Sequence, residues 1–247
     1  MTKRVNAVGR RVGVLLTAAL ALGTLTYCAA PPGKRVAVPA SPPGQTVVPE
    51  AAKASAESRP LYRVLSSESL VTIRVYRGGP MARVGHNHVI ASHNLAGEIR
   101  LGDPLVSSSG WLRIPVALLT VDEPALRAEA GPDFAADVPD SARAATRRNL
   151  LGDALLDAER FPGIEVRSLG LEQKEGLLQL RLQLTVRDRM TELPVPIVLE
   201  RSADRLVIRG ELPLRQSAVG LTPFSVMMGA LQVLDDMKLT FHIVAAR

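Results

Sequence analysis

One stretch near the middle of the chain decides the fold class: Leu178-Gln-Leu-Arg-Leu-Gln-Leu-Thr-Val-Arg187. Apolar and polar residues alternate there through five repeats. Because successive side chains of a β-strand point to opposite faces, this pattern predicts a strand with one apolar and one polar face. Strands of this kind are typical of antiparallel sheets that bury one side.

The same alternation recurs on both sides of this stretch, and the last example contains Met237, Leu239, Phe241 and Ile243. One helix is predicted between about Ser141 and Leu156, where several alanines follow a capping residue. The absence of regular strand–helix alternation argues against a doubly wound α/β fold, so the pattern predicts a β-sandwich or a closed barrel. The further candidate strands are Leu70–Tyr76, Ala96–Leu101, Leu112–Leu118, Ile164–Leu169, Val195–Leu199 and Leu206–Leu214.

The N-terminus is predicted to direct export. Residues 1–30 combine a basic head with an uncharged apolar run, as in a signal peptide or a membrane anchor. Cys28 stands where a lipoprotein signal would place its lipidated cysteine, and the alternative is an incidental apolar residue. Residues 31–59 are rich in Pro and Ala and are predicted to form a disordered linker, followed by a folded domain over 60–247. We therefore expect a periplasmic or periplasm-facing, membrane-anchored protein.

The charge distribution argues against the nucleic-acid partner that the net charge of +6 first suggests. Four of the basic residues lie in the first eleven positions, which leaves the rest of the chain close to neutral. Aromatic residues make up only 3% of the chain, too few for a stacking platform. We expect no nucleic-acid partner. The single cysteine also excludes an intramolecular disulfide framework.

Three of the four histidines, His86, His88 and His93, lie within the segment GHNHVIASH. His86 and His88 would share one face of a strand, and a turn at Ala91–Ser92 would bring His93 close enough to complete a metal site. The alternative is that His86 and His88 order the strand or line a ligand site. No nucleophile elbow, phosphate loop or zinc-protease motif is present, so we do not expect an enzyme. Asp122-Glu123-Pro124 is predicted to be a solvated turn, and Asp235-Asp236 a turn before the last strand.

Several short segments between Tyr62 and Ala245 occur in an order that resembles the YceI-like family, the lipocalin-like polyisoprenoid-binding domains, in its GHxH-bearing branch. No single segment carries the resemblance, which rests on their order. These segments are Tyr62-Arg-Val, Gly78–His88, Gly97–Leu101, Leu112–Val116, Leu155–Ser168 and Gln216–Phe224.

The resemblance implies an extended antiparallel barrel of about eight strands with one inserted helix and a pocket for an isoprenoid or another long-chain lipid. No cofactor is expected, and the membrane would be contacted through the N-terminal signal or anchor. Two other functions stay open: a metal- or haem-associated protein that uses His86, His88 and His93, and a scaffold whose barrel is solid. The expected ligand-binding residues are His86, His88, Leu180, Leu182, Leu184, Phe224, Leu239 and Phe241.

Overall fold

The computed structural model of the chain describes residues 59–247. The predicted signal or anchor, Cys28 and the linker up to residue 58 lie outside the described residues. No helix within residues 59–247 is both long and apolar enough to span a membrane. The described part contains twelve strands: β1 (Leu61–Val64), β2 (Leu70–Gly78), β3 (His88–Ser92), β4 (Ala96–Arg100), β5 (Ser109–Pro115), β6 (Thr120–Val121), β7 (Gly163–Lys174), β8 (Leu177–Val186), β9 (Arg189–Arg201), β10 (Arg205–Arg215), β11 (Ser225–Val226) and β12 (Leu231–Ala246).

Eight of these strands close into an antiparallel barrel, which confirms the predicted fold class. The order around the barrel is β1-β4-β5-β7-β8-β9-β10-β12, and β12 closes the ring by pairing with β1. Strand β2 pairs with residues 232–242 of β12, and β3 and β6 extend the sheet beyond β2. Strand β11 pairs with the first two residues of β12. Because every edge of the ring is paired, the barrel needs no further element to cover an exposed strand.

Strand β8 shows how the alternating sequence builds the wall of the barrel. It pairs with β7 on one side and β9 on the other, with Leu182 opposite Ser168 and Leu193. Leu180, Leu182 and Leu184 face the barrel interior. The polar residues between them therefore face outward, as the period of two requires.

An insertion between β6 and β7 packs over one end of the barrel, which we call the helical end. It contains α1 (Pro124–Glu129), which the sequence patterns did not predict, and α2 (Asp140–Leu151). Leu150 of α2 is buried against the barrel core together with Leu156. Burying each leucine contributes on the order of 1.5–3 kcal/mol, which fixes the insertion to the barrel.

The prediction that the helix continues to Leu156 is wrong. Helix α2 ends at Leu151 because Gly152 has an extended backbone, with φ −69° and ψ 166°. Hydrogen-bonded turns then carry the chain back over the helix, and the Leu156 N–H donates to the carbonyl of Leu150 at 3.2 Å. The apolar residues that suggested a longer helix instead pack on the core from these turns.

Two further sequence predictions are corrected by the strand bounds. The strand predicted over Leu112–Leu118 ends at Pro115, and a 3₁₀ turn follows it. Asp235-Asp236 is not a turn before the last strand, because both residues lie inside β12 at a register shift. The side chain and backbone N–H of Ser217 both donate to Asp235, which lowers the pKa of that carboxyl.

Candidate functional site

The barrel encloses a cavity of about 570 Å³. This volume lies within the range of roughly 300–1,000 Å³ that is usual for small-molecule sites. Its wall is mostly apolar and receives side chains from opposite sides of the barrel, among them Ile114 from β5 and Ile208 from β10. The lumen is therefore hollow, a point that the alternation of apolar residues left open.

The cavity reaches the protein surface at the helical end. Four of its lining residues are also exposed there: Arg77 at the end of β2, Val84 in the β2–β3 connection, Asn149 on α2 and Phe224 just before β11. We call this opening the mouth. The polar lining groups at this end include His86 and His88, whereas leucine, isoleucine and valine line the middle of the lumen. Ser108, Ser109 and the exposed Trp111 line its far end. The cavity thus has a polar entrance and an apolar body.

His88, the first residue of β3, is held in place by a buried carboxylate. Its Nδ1 lies 2.6 Å from Oδ2 of Asp122, which is fully shielded from solvent. The other carboxylate oxygen accepts the backbone N–H of Val89 at 2.9 Å. Asp122 adopts a left-handed backbone conformation, with φ 56°, and its own N–H donates to the carbonyl of Val89. These bonds fix both the position and the ring orientation of His88.

Arg127 of α1 supplies the positive charge that balances Asp122. Its Nη1 donates to Asp122 Oδ1 at 2.6 Å and to the carbonyl of Asn87 at 2.7 Å. Its Nη2 donates to the carbonyls of Phe134 and Ala136. The guanidinium is buried, and it therefore ties α1, the following loop and the start of β3 to one carboxylate.

The charged form of Asp122 is favoured in the folded protein. Burial raises the pKa of this carboxyl, but the hydrogen bonds from His88, Val89 and Arg127 outweigh burial, so that its pKa lies below the usual 3.8. An ionised Asp122 accepts the Nδ1 proton of His88. In the neutral imidazole, Nε2 is then a hydrogen-bond acceptor. This atom lies 3.4 Å from Oγ1 of Thr146 on α2, where both side chains line the cavity.

This arrangement predicts a specific response to acid. Because the pKa of Asp122 is lower in the folded than in the unfolded state, its stabilising contribution is present above the usual pKa and is lost as the pH falls through the folded value. We expect the free energy of unfolding of the wild type to fall more steeply below pH 3.8 than that of Asp122→Asn. Urea titrations at a series of pH values measure both slopes. Parallel curves for the two proteins would contradict the role given to Asp122.

The three clustered histidines do not meet at one point. His86 precedes β3 instead of lying within it, although its ring is 6.2 Å from that of His88, measured between centroids. The turn expected at Ala91–Ser92 is absent because β3 continues through Ser92. His93 instead lies within 3.1 Å of both carboxylate oxygens of Glu123. Within residues 59–247, no group of three or more His, Cys, Asp or Glu side chains is placed to hold a metal ion.

All eight side chains expected at the ligand site line the cavity, and their role in binding stays a prediction. The sequence patterns missed Asp122 and Arg127. Asp122-Glu123-Pro124 is not a solvated turn, since Asp122 is only 1% exposed. One weak signal was available: an acidic residue and an arginine five positions apart follow a histidine-rich strand. Asp122 and Arg127 form an ion pair that holds His88 because the insertion buries them. No local sequence pattern indicates that burial.

No family model and no curated protein matches the chain. Among solved structures, BcnA of Burkholderia cenocepacia is similar, with a TM-score of 0.54 and 16% identity over 74% of this chain and 99% of BcnA. The chain shares the fold of BcnA. A YCEI protein of Campylobacter jejuni is also similar, at a TM-score of 0.43 and 10% identity over 62% of this chain and 81% of the other. At 16% identity the likeness to BcnA shows a shared fold alone.

Proposed function

We propose that this protein is an exported lipid-binding module that holds a polyisoprenoid or a similar amphiphile inside its barrel. The observation that carries the proposal is the cavity of about 570 Å³ with its mostly apolar wall. Transfer of apolar surface from water into such a lumen is favourable by about 25 cal/mol per Å². An apolar chain is therefore the ligand whose chemistry matches most of the wall. The resemblance of the sequence to the YceI-like family supports the same class of ligand.

The mouth supports an amphiphile rather than a purely apolar ligand. His86 and His88 line the cavity at its polar end, and Asp122 holds His88 in a fixed orientation. A hydroxyl on the ligand could donate to Nε2 of a neutral His88, while the tail fills the lumen. The ligand would then lie with its head at the helical end and its tail between β8 and β12.

Export and membrane association form part of the same proposal. The basic head and uncharged run of residues 1–30 support translocation, and the linker over 31–59 would separate the barrel from a retained anchor or a lipidated Cys28. A periplasmic lipid-binding barrel needs no nucleic-acid partner, no cofactor and no catalytic step. The near-neutral charge beyond the first eleven residues agrees with such a role.

Native mass spectrometry of the full chain, purified without detergent from a bacterial host, tests the proposal. We expect adducts of long-chain lipid, which organic extraction should release, and uptake of dansyl-labelled undecanoic acid by the extracted protein. A protein that carries no lipid and takes up no probe would overturn the proposal. Equimolar metal that is lost in His86→Ala/His88→Ala would instead favour the metal-associated alternative.

A further inference from the structure

A cluster of exposed apolar side chains stands beside the mouth of the cavity. Six of the fourteen large exposed apolar side chains in residues 59–247 come from two short segments, 81–84 and 224–228. Met228 is fully exposed, and Met227 is 64% exposed. We call this cluster the apolar rim, and its members are Met81, Val84, Phe224, Val226, Met227 and Met228. Two of them, Val84 and Phe224, also line the cavity.

The two segments of the apolar rim form one surface. The Met81 N–H donates to the carbonyl of Ala230 at 2.8 Å. Gly79 lies so close to the second segment that a Cβ there would meet the carbonyl oxygens of Gly229 and Ala230 at 2.6 Å. Strands β11 and β12 form a hairpin, which holds Met227 and Met228 at its tip. The exposed side chains are thus fixed together on a hydrogen-bonded framework.

The tip of this hairpin has an unfavourable conformation for its sequence. Met227, Met228 and Gly229 have φ values of 53°, 55° and 87°, so two methionines occupy the left-handed region that favours glycine. The same two methionines expose their side chains to water. Backbone strain of this kind persists mainly at functional sites. A strained turn that presents apolar side chains outward indicates a contact with an apolar environment.

The charges around the apolar rim indicate which environment this is. No acidic residue occurs between Glu68 and Glu98, the stretch that contains Arg77 and Arg83, and none occurs between Glu211 and Asp235. Three acidic side chains contact these stretches from outside them: Asp122 is buried against His88 and Arg127, Glu123 lies beside His93, and Asp235 accepts hydrogen bonds from Ser217. Exposed apolar side chains flanked by arginines match the surface of an anionic phospholipid bilayer, where apolar groups enter the interface and basic groups meet phosphates.

We propose that the apolar rim docks the barrel onto an anionic phospholipid bilayer, with Met227 and Met228 inserted into the interface and the mouth turned toward the membrane. In this orientation an amphiphile could move between the bilayer and the lumen without crossing water. The docking inference does not depend on the lumen holding lipid, because the apolar rim is a surface feature. A failure of either proposal is therefore distinguishable from a failure of the other.

A fluorophore attached at single positions of the full chain tests this docking. Cys28→Ser removes the native thiol, and Met228→Cys or Leu177→Cys introduces one label site for an environment-sensitive nitrobenzoxadiazole. Leu177 is the matched control, since it is 64% exposed and lies at the other end of the barrel. A position-specific reading is required because the N-terminal segment could bind vesicles independently of the barrel.

On vesicles of phosphatidylcholine and phosphatidylglycerol, we expect the emission at 228 to shift to the blue, to rise roughly twofold and to be shielded from iodide, whereas the label at 177 stays accessible. Arg83→Gln should reduce shielding at 228 on these vesicles more than on phosphatidylcholine alone. Equal accessibility at 228 and 177 would overturn the inference. Shielding at 228 that grows with protein concentration in the absence of vesicles would also overturn it, since the apolar rim would then be an interface between copies.

Discussion

Replacing Asp122 by alanine is expected to lower the free energy of unfolding by about 3–5 kcal/mol, the usual effect of removing one partner of a buried ion pair. The loss follows from the environment of Arg127, which is 8% exposed and would keep its charge without a carboxylate beside it. A small domain has only about 5–15 kcal/mol of stability, so this one substitution removes a large share. Urea denaturation followed by circular dichroism measures the change.

The surface pair of Asp236 and Arg215 provides the matched control. Its side chains are 80% and 70% exposed, so Asp236→Ala should cost less than about 1 kcal/mol. A second variant, Asp122→Ala/Arg127→Met, removes both buried charges and should be more stable than Asp122→Ala alone. If Asp122→Ala and Asp236→Ala have the same effect, the buried network does not hold the insertion in place.

Filling the lumen with a larger side chain is the second change with a large expected effect. Leu184→Trp places an indole among Leu182, Leu193 and Phe241 on the cavity wall. Excluding two to four methylenes of a ligand tail, at about 0.8 kcal/mol each, weakens binding on the order of 10- to 200-fold. Titration of the extracted protein with dansyl-labelled undecanoic acid gives this ratio directly.

The same variant tests whether the lumen is hollow in solution. A hollow barrel accommodates the indole, so the stability of Leu184→Trp should stay within about 1.5 kcal/mol of the wild type, whereas overpacking a filled core costs roughly 1–3 kcal/mol or more. Gln183→Trp is the matched control, since Gln183 lies on the outward face of the same strand. It should leave both stability and probe uptake close to wild-type values. Unchanged uptake in Leu184→Trp would contradict binding within the lumen.

Much of the fold follows from local sequence patterns. The alternation of Leu178–Val186 fixes both the strand and the face that it buries, because a period of two has only one interpretation in a sheet. The residues at which strands and helices end follow less clearly from local sequence. Pro115 ends β5 and Gly152 ends α2, and in both places apolar residues continue beyond the end of the element. They are apolar because turns pack them on the core, which sequence periodicity does not distinguish from a longer helix or strand.

The residues of the candidate site also form two groups: those that alternation assigns to the interior, and those whose position depends on contacts between separate elements. Leu180 and Leu239 could be assigned to the interior from alternation alone, and the structure places both on the cavity wall. The role of Asp122 could not be assigned, because an acidic residue before a proline-containing turn is usually solvated. It is buried here because Arg127 and His88 reach it from separate elements. The position of His93 likewise depends on where β3 ends.

By itself, the sequence determined that the chain folds as antiparallel strands with one apolar face, and that its first eleven residues carry most of the excess charge. Only the tertiary structure decided that β12 returns to β1 and closes the ring, and that the apolar faces enclose a cavity instead of a packed core. The physical reason is that alternation records which side of a strand avoids water. The distance across the barrel, the burial of Asp122 and the meeting of the two rim segments are set by contacts between residues far apart in the chain.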